Sequence, residues 1–172
     1  MARPHHSDYP DNFAGYISKV SEDDLLQAFS NQLPAALQLF SSISEDQSGY
    51  TYAPGKWSIK EMLQHIIDAE RIFCYRALCI ARKESISLPP FDENEYAKNS
   101  FANQRRWMSL YDEFQHARQS TQDLFESFTV DMMEQRGVSN NKVLTVSSIG
   151  FTIVGHVYHH MQILREKYIQ LP

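Results

Sequence analysis

His156 and His160 stand four residues apart in a long apolar stretch near the end of the chain. On a helix that spacing puts them about 40° and one turn apart, close enough for two imidazoles to converge on one ion. Ile149, Ile153, Val157, Ile163 and Leu164 project within about 100° of His156, so the pair faces the core. One histidine on an apolar face is usually satisfied by a hydrogen bond. Two buried together repel if both are charged and each need a partner if neutral, whereas a divalent cation satisfies both nitrogens. The spacing therefore predicts a metal site. His159 is the rival for His160, but it projects about 60° to the other side of His156, away from the apolar centre.

A mononuclear site needs a third ligand, and His65 is the remaining candidate on a regular helix. It projects about 120° from the centre of its own apolar stripe, beside Met62, Ala69 and Ile72, where that helix can meet a second neighbour. Periodicity alone does not elect it. His116 belongs to Glu113-x-x-His116, half of a di-iron signature, but the chain has no second Glu-x-x-His. Glu70 projects into the middle of the apolar stripe, where an unpaired carboxylate is costly, so it must have a partner. Either it forms a buried ion pair or backbone hydrogen bond, or it serves the site as an outer acceptor or proton carrier. Asp68 can likewise hold the other nitrogen of His65 or stand as a solvated surface carboxylate. Cys74 projects about 180° from His65, and Cys79 lies about 21 Å along the helix from it, so neither joins the site. Both read as free thiols that pack as small hydrophobes.

Four long helices must position these groups. The first is expected from about 22 to about 42 on the period of Leu25, Leu26, Phe29, Leu33, Leu37 and Phe40, behind Ser21 and Asp24, with a kink or break at Pro34. Ser58-x-x-Glu61 is a capping box that opens the second, which runs to about Lys83 before Leu88-Pro89-Pro90. The third carries Trp107, Leu110, Phe114, Leu124 and Phe125, and the fourth runs from about 147 to about 169. Residues 1–20 read as an extended arm laid on the body, bearing solvated His5 and His6. The stretch from Glu84 to Asn99 is long enough to cross the bundle, and 131–141 is a second polar connection. No segment alternates with period two for long enough to demand a strand, so the fold class is all-α, a single-domain four-helix bundle with long crossovers.

Composition narrows the function classes. Hydrophobic residues at 42% and charged residues at 22% indicate an ordinary globular chain. A net charge of -5, with Lys and Arg scattered, lacks the basic footprint of nucleic-acid binding. No stretch reads as a signal peptide, and the histidines, Thr152 and Gln162 interrupt the apolar run at 149–164, which argues against a membrane span. With two cysteines and no C-x-x-C, a reducing cytoplasm is the expected setting.

Tyr52-Ala53-Pro54-Gly55-Lys56-Trp57-Ser58-Ile59-Lys60-Glu61, then His65, then Gly155-His156-Val157-Tyr158-His159-His160, resembles the DinB-like superfamily. This group includes YfiT-type metal-dependent hydrolases and bacillithiol transferases, and it is unrelated to the DNA polymerase of similar name. The resemblance covers nearly the whole chain, including Leu88-Pro89-Pro90-Phe91-Asp92-Glu93-Asn94. It implies one divalent ion, zinc or nickel, held by His65, His156 and His160, and by analogy a homodimer. Three imidazoles leave at least one coordination position open, as in catalytic rather than sealed structural sites, and water or a low-molecular-weight thiol can enter there. The expected function is a metal-dependent thiol S-transferase or hydrolase acting on a small molecule, with Glu70, Asp68 and the segment from Asp92 to Glu95 as accessories. The alternative is a non-catalytic, stress-associated metal-binding bundle. An open pocket reaching the ion favours the enzyme.

Overall fold

In the computed structural model, which describes residues 1–169, local sequence signals set the element boundaries. Pro10 leads into α1, Asp11–Ile17. The Asp24 side chain accepts from the Gln27 amide and starts α2, Leu25–Ser41. A capping box at Ser44 and Gln47 forms the single turn of α3, Glu45–Ser48. The Ser58 and Glu61 capping box opens α4, Ile59–Ala81. It satisfies the first amides of the helix that carries His65. Next come α5, Glu93–Asn99, capped by Asp92, then α6, Trp107–Glu126, and α7, Val130–Glu134. The strands β1, Arg136–Ser139, and β2, Lys142–Thr145, follow, and Thr145 caps α8, Val146–Ile163. The last turns widen to a π-helix over Leu164–Tyr168.

The four long helices α2, α4, α6 and α8 form the bundle. Both α4 and α2 pack against α6 and α8, so α2 and α4 lie on one diagonal and α6 and α8 on the other. The connections from α2 to α4 and from α6 to α8 therefore cross the bundle diagonally, whereas the stretch from Glu84 to Asn99, expected to cross it, joins the adjacent helices α4 and α6. Two apolar clusters fill the interior. One gathers around Phe29, Phe125 and Phe151, the other around Phe40, Trp107 and Phe114. Arg118 lies between them, its guanidinium 5.0 Å from the Phe29 ring and 5.7 Å from the Phe114 ring. Among the described residues no helix is long and apolar enough to cross a membrane.

Three local expectations are corrected. Residues 1–20 are not extended throughout, because α1 is a two-turn helix docked on α8. It is too short to show a period. The all-α reading omits a small antiparallel hairpin, β1 with β2, in register Arg136↔Thr145 to Ser139↔Lys142. Asn140 and Asn141, at φ 50° and 58°, make its turn, since asparagine tolerates the left-handed backbone that two-residue hairpins need. Finally, α2 runs through Pro34 without a break. Proline removes one hydrogen bond there, and the burial of Phe29, Ala36 and Phe40 on either side holds the helix together.

Candidate metal centre

Helix α4 brings in His65 and α8 brings in His156 and His160. All three are buried, and the His65 and His160 Nε2 atoms each lie 3.0 Å from Nε2 of His156. One ring nitrogen has a single in-plane site, either a lone pair or an N–H, so His156 Nε2 cannot satisfy both neighbours by hydrogen bonding. Three nitrogens bonded at 2.0–2.1 Å to a tetrahedral ion would be about 3.3 Å apart, close to the separations here. The donor set and its geometry fit a divalent ion such as zinc.

Burial sets the charge state. It pushes the His65 imidazole down to about 4, aided by the charge of His159, and His160 down to about 3. His156 lies well below the ordinary histidine range, through burial first and then its histidine neighbours. Neutral imidazoles are the form that ligates metal.

Aromatic side chains surround the cluster. Trp57, just before the α4 cap, lies 4.7 Å from the His65 ring centroid, and Tyr16 of α1 meets the His156 ring edge-on at 5.4 Å. Gly155 permits that approach. A Cβ there would lie 2.0 Å from the Tyr16 carbonyl oxygen, so only glycine lets α1 settle beside His156. His159 is half-buried, its ring 5.4 Å from that of Tyr16 and 5.1 Å from that of His160, and it is not among the converging nitrogens.

The histidines lie in the wall of a cavity of about 360 Å³. Phe13 and Tyr16 from α1, Phe73 and Arg76 from α4, and Phe91 and Glu93 from the crossover share that wall. Ser139, Asn140 and Lys142 of the hairpin complete it. Of these, sequence reasoning missed Tyr16, Arg76 and the hairpin residues. Arg76 had a signal, since it follows His65 by eleven residues and so returns to within about 20° of it on the helix.

Of the carboxylates nominated from sequence, Glu93 lines the cavity, whereas Glu70 and Asp68 stand elsewhere. Both oxygens of Glu70 accept from Arg118, Nε to Oε1 and Nη2 to Oε2, each at 2.9 Å, and Thr121 donates to Oε1 at 2.7 Å. Arg118 also donates to Gln32, whose amide reaches the Val154 carbonyl at 2.6 Å. Among the described residues Glu70 makes no hydrogen bond to the histidines. It belongs to a buried network tying α2, α4, α6 and α8 together. Asp68 accepts from Gln64 and lines a separate groove with Arg71 and Tyr96. Glu113 pairs with Arg71 and Arg105 at 2.6 and 2.5 Å, and His116 is exposed. Cys74 contacts the Thr121 hydroxyl at 3.2 Å, and burial pushes its thiol up to about 11, the state of an inert core cysteine.

The sequence matches the DinB superfamily over residues 28–164. The chain belongs to that superfamily. Among solved structures, YfiT from Bacillus subtilis, described as a probable metal-dependent hydrolase with an unusual four-helix bundle topology, superposes with a TM-score of 0.69. The two are 16% identical over 94% of this chain and 88% of that one. A mycothiol-dependent maleylpyruvate isomerase superposes with a TM-score of 0.71 at 12% identity, covering 87% of this chain and 62% of its own. At such identities the likeness is one of fold, and this chain spans less than two thirds of the isomerase. No match is found among curated proteins.

Proposed function

We propose that this DinB-family chain is a metal-dependent enzyme in which His65, His156 and His160 hold one divalent ion, zinc or nickel, and that it is a thiol S-transferase acting on a small molecule. One observation carries the reading: three Nε2 atoms converge in the wall of an open cavity of a size that suits a small ligand. A sealed structural site would be closed by side chains, so the cavity favours an enzyme over a non-catalytic metal-binding bundle. Bound there, the ion would act as a Lewis acid that lowers the pKa of an entering thiol or water.

The chain's own residues do the rest. Neutral imidazoles leave the full charge of the ion uncompensated, and the rings of Trp57, Tyr16 and Phe73 surround the cluster with apolar surface, which strengthens electrostatic interactions within. Hydrolysis needs a group to take a proton, and Glu70 is committed to Arg118 while Asp68 lies in another groove. A thiol starts from a pKa of about 8.5, far below that of water, so the ion would let it ionise by giving its proton to solvent without a protein base, which is why the transferase is the preferred reading. The hydrolase is the second reading, favoured by Glu93, the one carboxylate among the cavity-lining residues. A cytoplasmic setting and a homodimer complete the proposal.

Cobalt-substituted protein tests the reading without knowledge of the substrate. Adding cysteine or another low-molecular-weight thiol should produce a sulfur-to-cobalt charge-transfer band that is lost in His156→Ala. A cobalt spectrum indifferent to every thiol would refute the transferase. A thiol-independent, metal-dependent cleavage of esters or amides that falls with Glu93→Gln would establish the hydrolase instead.

A further inference from the structure

Arg76 is a buried cation with no anion beside it. It is 7% exposed, and its Nη2 donates to the Pro89 carbonyl at 2.8 Å. Its guanidinium lies 5.7 Å from the ring centroids of both Phe73 and Phe91. Among the described residues it enters no ion pair, and burial alone lowers its pKa, with no carboxylate holding it up. Arg118, the other buried arginine, shows the contrast, since Glu70 takes two of its donors. A buried charge left unpaired is costly, and such a cost persists where a ligand removes it.

Two further features place the missing anion in the cavity. Ser139 lines the same cavity, is 5% exposed, and has a buried hydroxyl without a hydrogen-bond partner. Along α4, His65, Ala69 and Arg76 form one stripe, and all three line the cavity. The small side chain of Ala69 leaves room between the imidazoles and the guanidinium. The charged groups of the lining, histidines aside, are Arg76, Lys142 and Glu93. Apart from the charge the ion would bring, two cations against one carboxylate leave one net positive charge, which a single carboxylate matches.

We infer that Arg76 and Ser139 form an anion subsite about three helical turns from the metal centre along α4, and that the small molecule acted on there carries a carboxylate. The planar guanidinium offers parallel N–H donors to both carboxylate oxygens, and the Ser139 hydroxyl donates to one of them. Phe73 and Phe91 hold the guanidinium in place, so little side-chain entropy is lost on binding. This names the substrate class for the function proposed above, yet the subsite is defined by residues other than the metal ligands.

Binding of 3-phenylpropionate and of its neutral isostere 3-phenylpropionamide, measured by calorimetry, tests it. Both zinc-loaded and chelator-treated protein are used, so that direct binding of carboxylate to the ion is told apart from binding to Arg76. The acid should bind about tenfold or more tighter than the amide in both forms, as expected for a hydrogen-bonded charge. Arg76→Gln should abolish that preference by weakening the acid far more than the amide, and Ser139→Ala should reduce it. Equal binding of acid and amide by chelator-treated wild type overturns the subsite without any variant, so a failure of Arg76→Gln to fold does not protect it. Tighter binding of phenyl phosphate than of the acid overturns the assignment to a carboxylate. A preference confined to zinc-loaded protein and kept by Arg76→Gln overturns the subsite while leaving the metal centre standing, whereas a preference in protein that binds no zinc does the reverse.

Discussion

Glu70 and Arg118 face each other through two parallel hydrogen bonds of 2.9 Å, at 2% and 0% side-chain exposure, in the middle of the bundle. Removing one member leaves the other charged and buried, so Glu70→Ala should cost about 3–5 kcal/mol in urea unfolding. Glu70→Ala combined with Arg118→Met should cost less than the sum of the two single changes. Full stability with loss of activity would instead make Glu70 part of the chemistry.

Protein purified without an affinity tag should carry about one divalent ion per chain, the count expected of a mononuclear site. His65→Ala, His156→Ala and His160→Ala should each lose it by elemental analysis. Saturating zinc at about a thousand times its Kd adds about 4 kcal/mol, and raises Tm on the order of 10 °C for a chain of this size. Full metal retention in the His156 and His160 variants would dismiss the site.

Acid should weaken the metal-free protein through these same residues. Burial, joined by neighbouring histidines, holds the folded imidazoles down, His65 to about 4 and His160 to about 3, while the unfolded chain takes up protons near the ordinary histidine value. Below about pH 6.5 the unfolded state then binds more protons, so stability falls as pH falls, by up to about 1.4 kcal/mol per unit for each group. Urea unfolding of chelator-treated protein between about pH 7 and about pH 5 reads this above the range where carboxylates titrate. The slope should flatten in His156→Ala. A flat wild-type profile would contradict the burial.

Gly155→Ala should loosen α1. The added Cβ would stand 2.0 Å from a backbone oxygen that no rotamer change can move. A cost of about 1–3 kcal/mol is expected, with faster amide exchange over 11–17. Unchanged exchange there would show that α1 does not depend on this approach.

The parts of this molecule legible in its sequence are those set by local chemistry. Ser58 and Glu61 announce α4, the His156 and His160 spacing announces two imidazoles on one buried face, and the demand of Glu70 for a partner is plain from its place on an apolar stripe. Arg118 as that partner was not legible, because the contact joins residues 48 apart on different helices and the sequence does not state which helices are diagonal. His65 was nominated through family resemblance, since its projection left several neighbours open. The hairpin was hidden because two four-residue strands, one holding Gly137, are too short to show alternation. Hydrophobic periodicity also led the reading of α4 past Arg76, whose significance lies in the two rings near it and, among the described residues, the absence of a counter-ion.

The cavity divides by origin. The histidines sit on bundle helices, whereas Phe91, Glu93, Ser139, Asn140 and Lys142 come from the crossover and the hairpin, and Tyr16 from α1. Connections accept insertion and substitution more readily than bundle interiors. The lining of this cavity can therefore be altered through three peripheral segments without disturbing the bundle helices that carry the histidines.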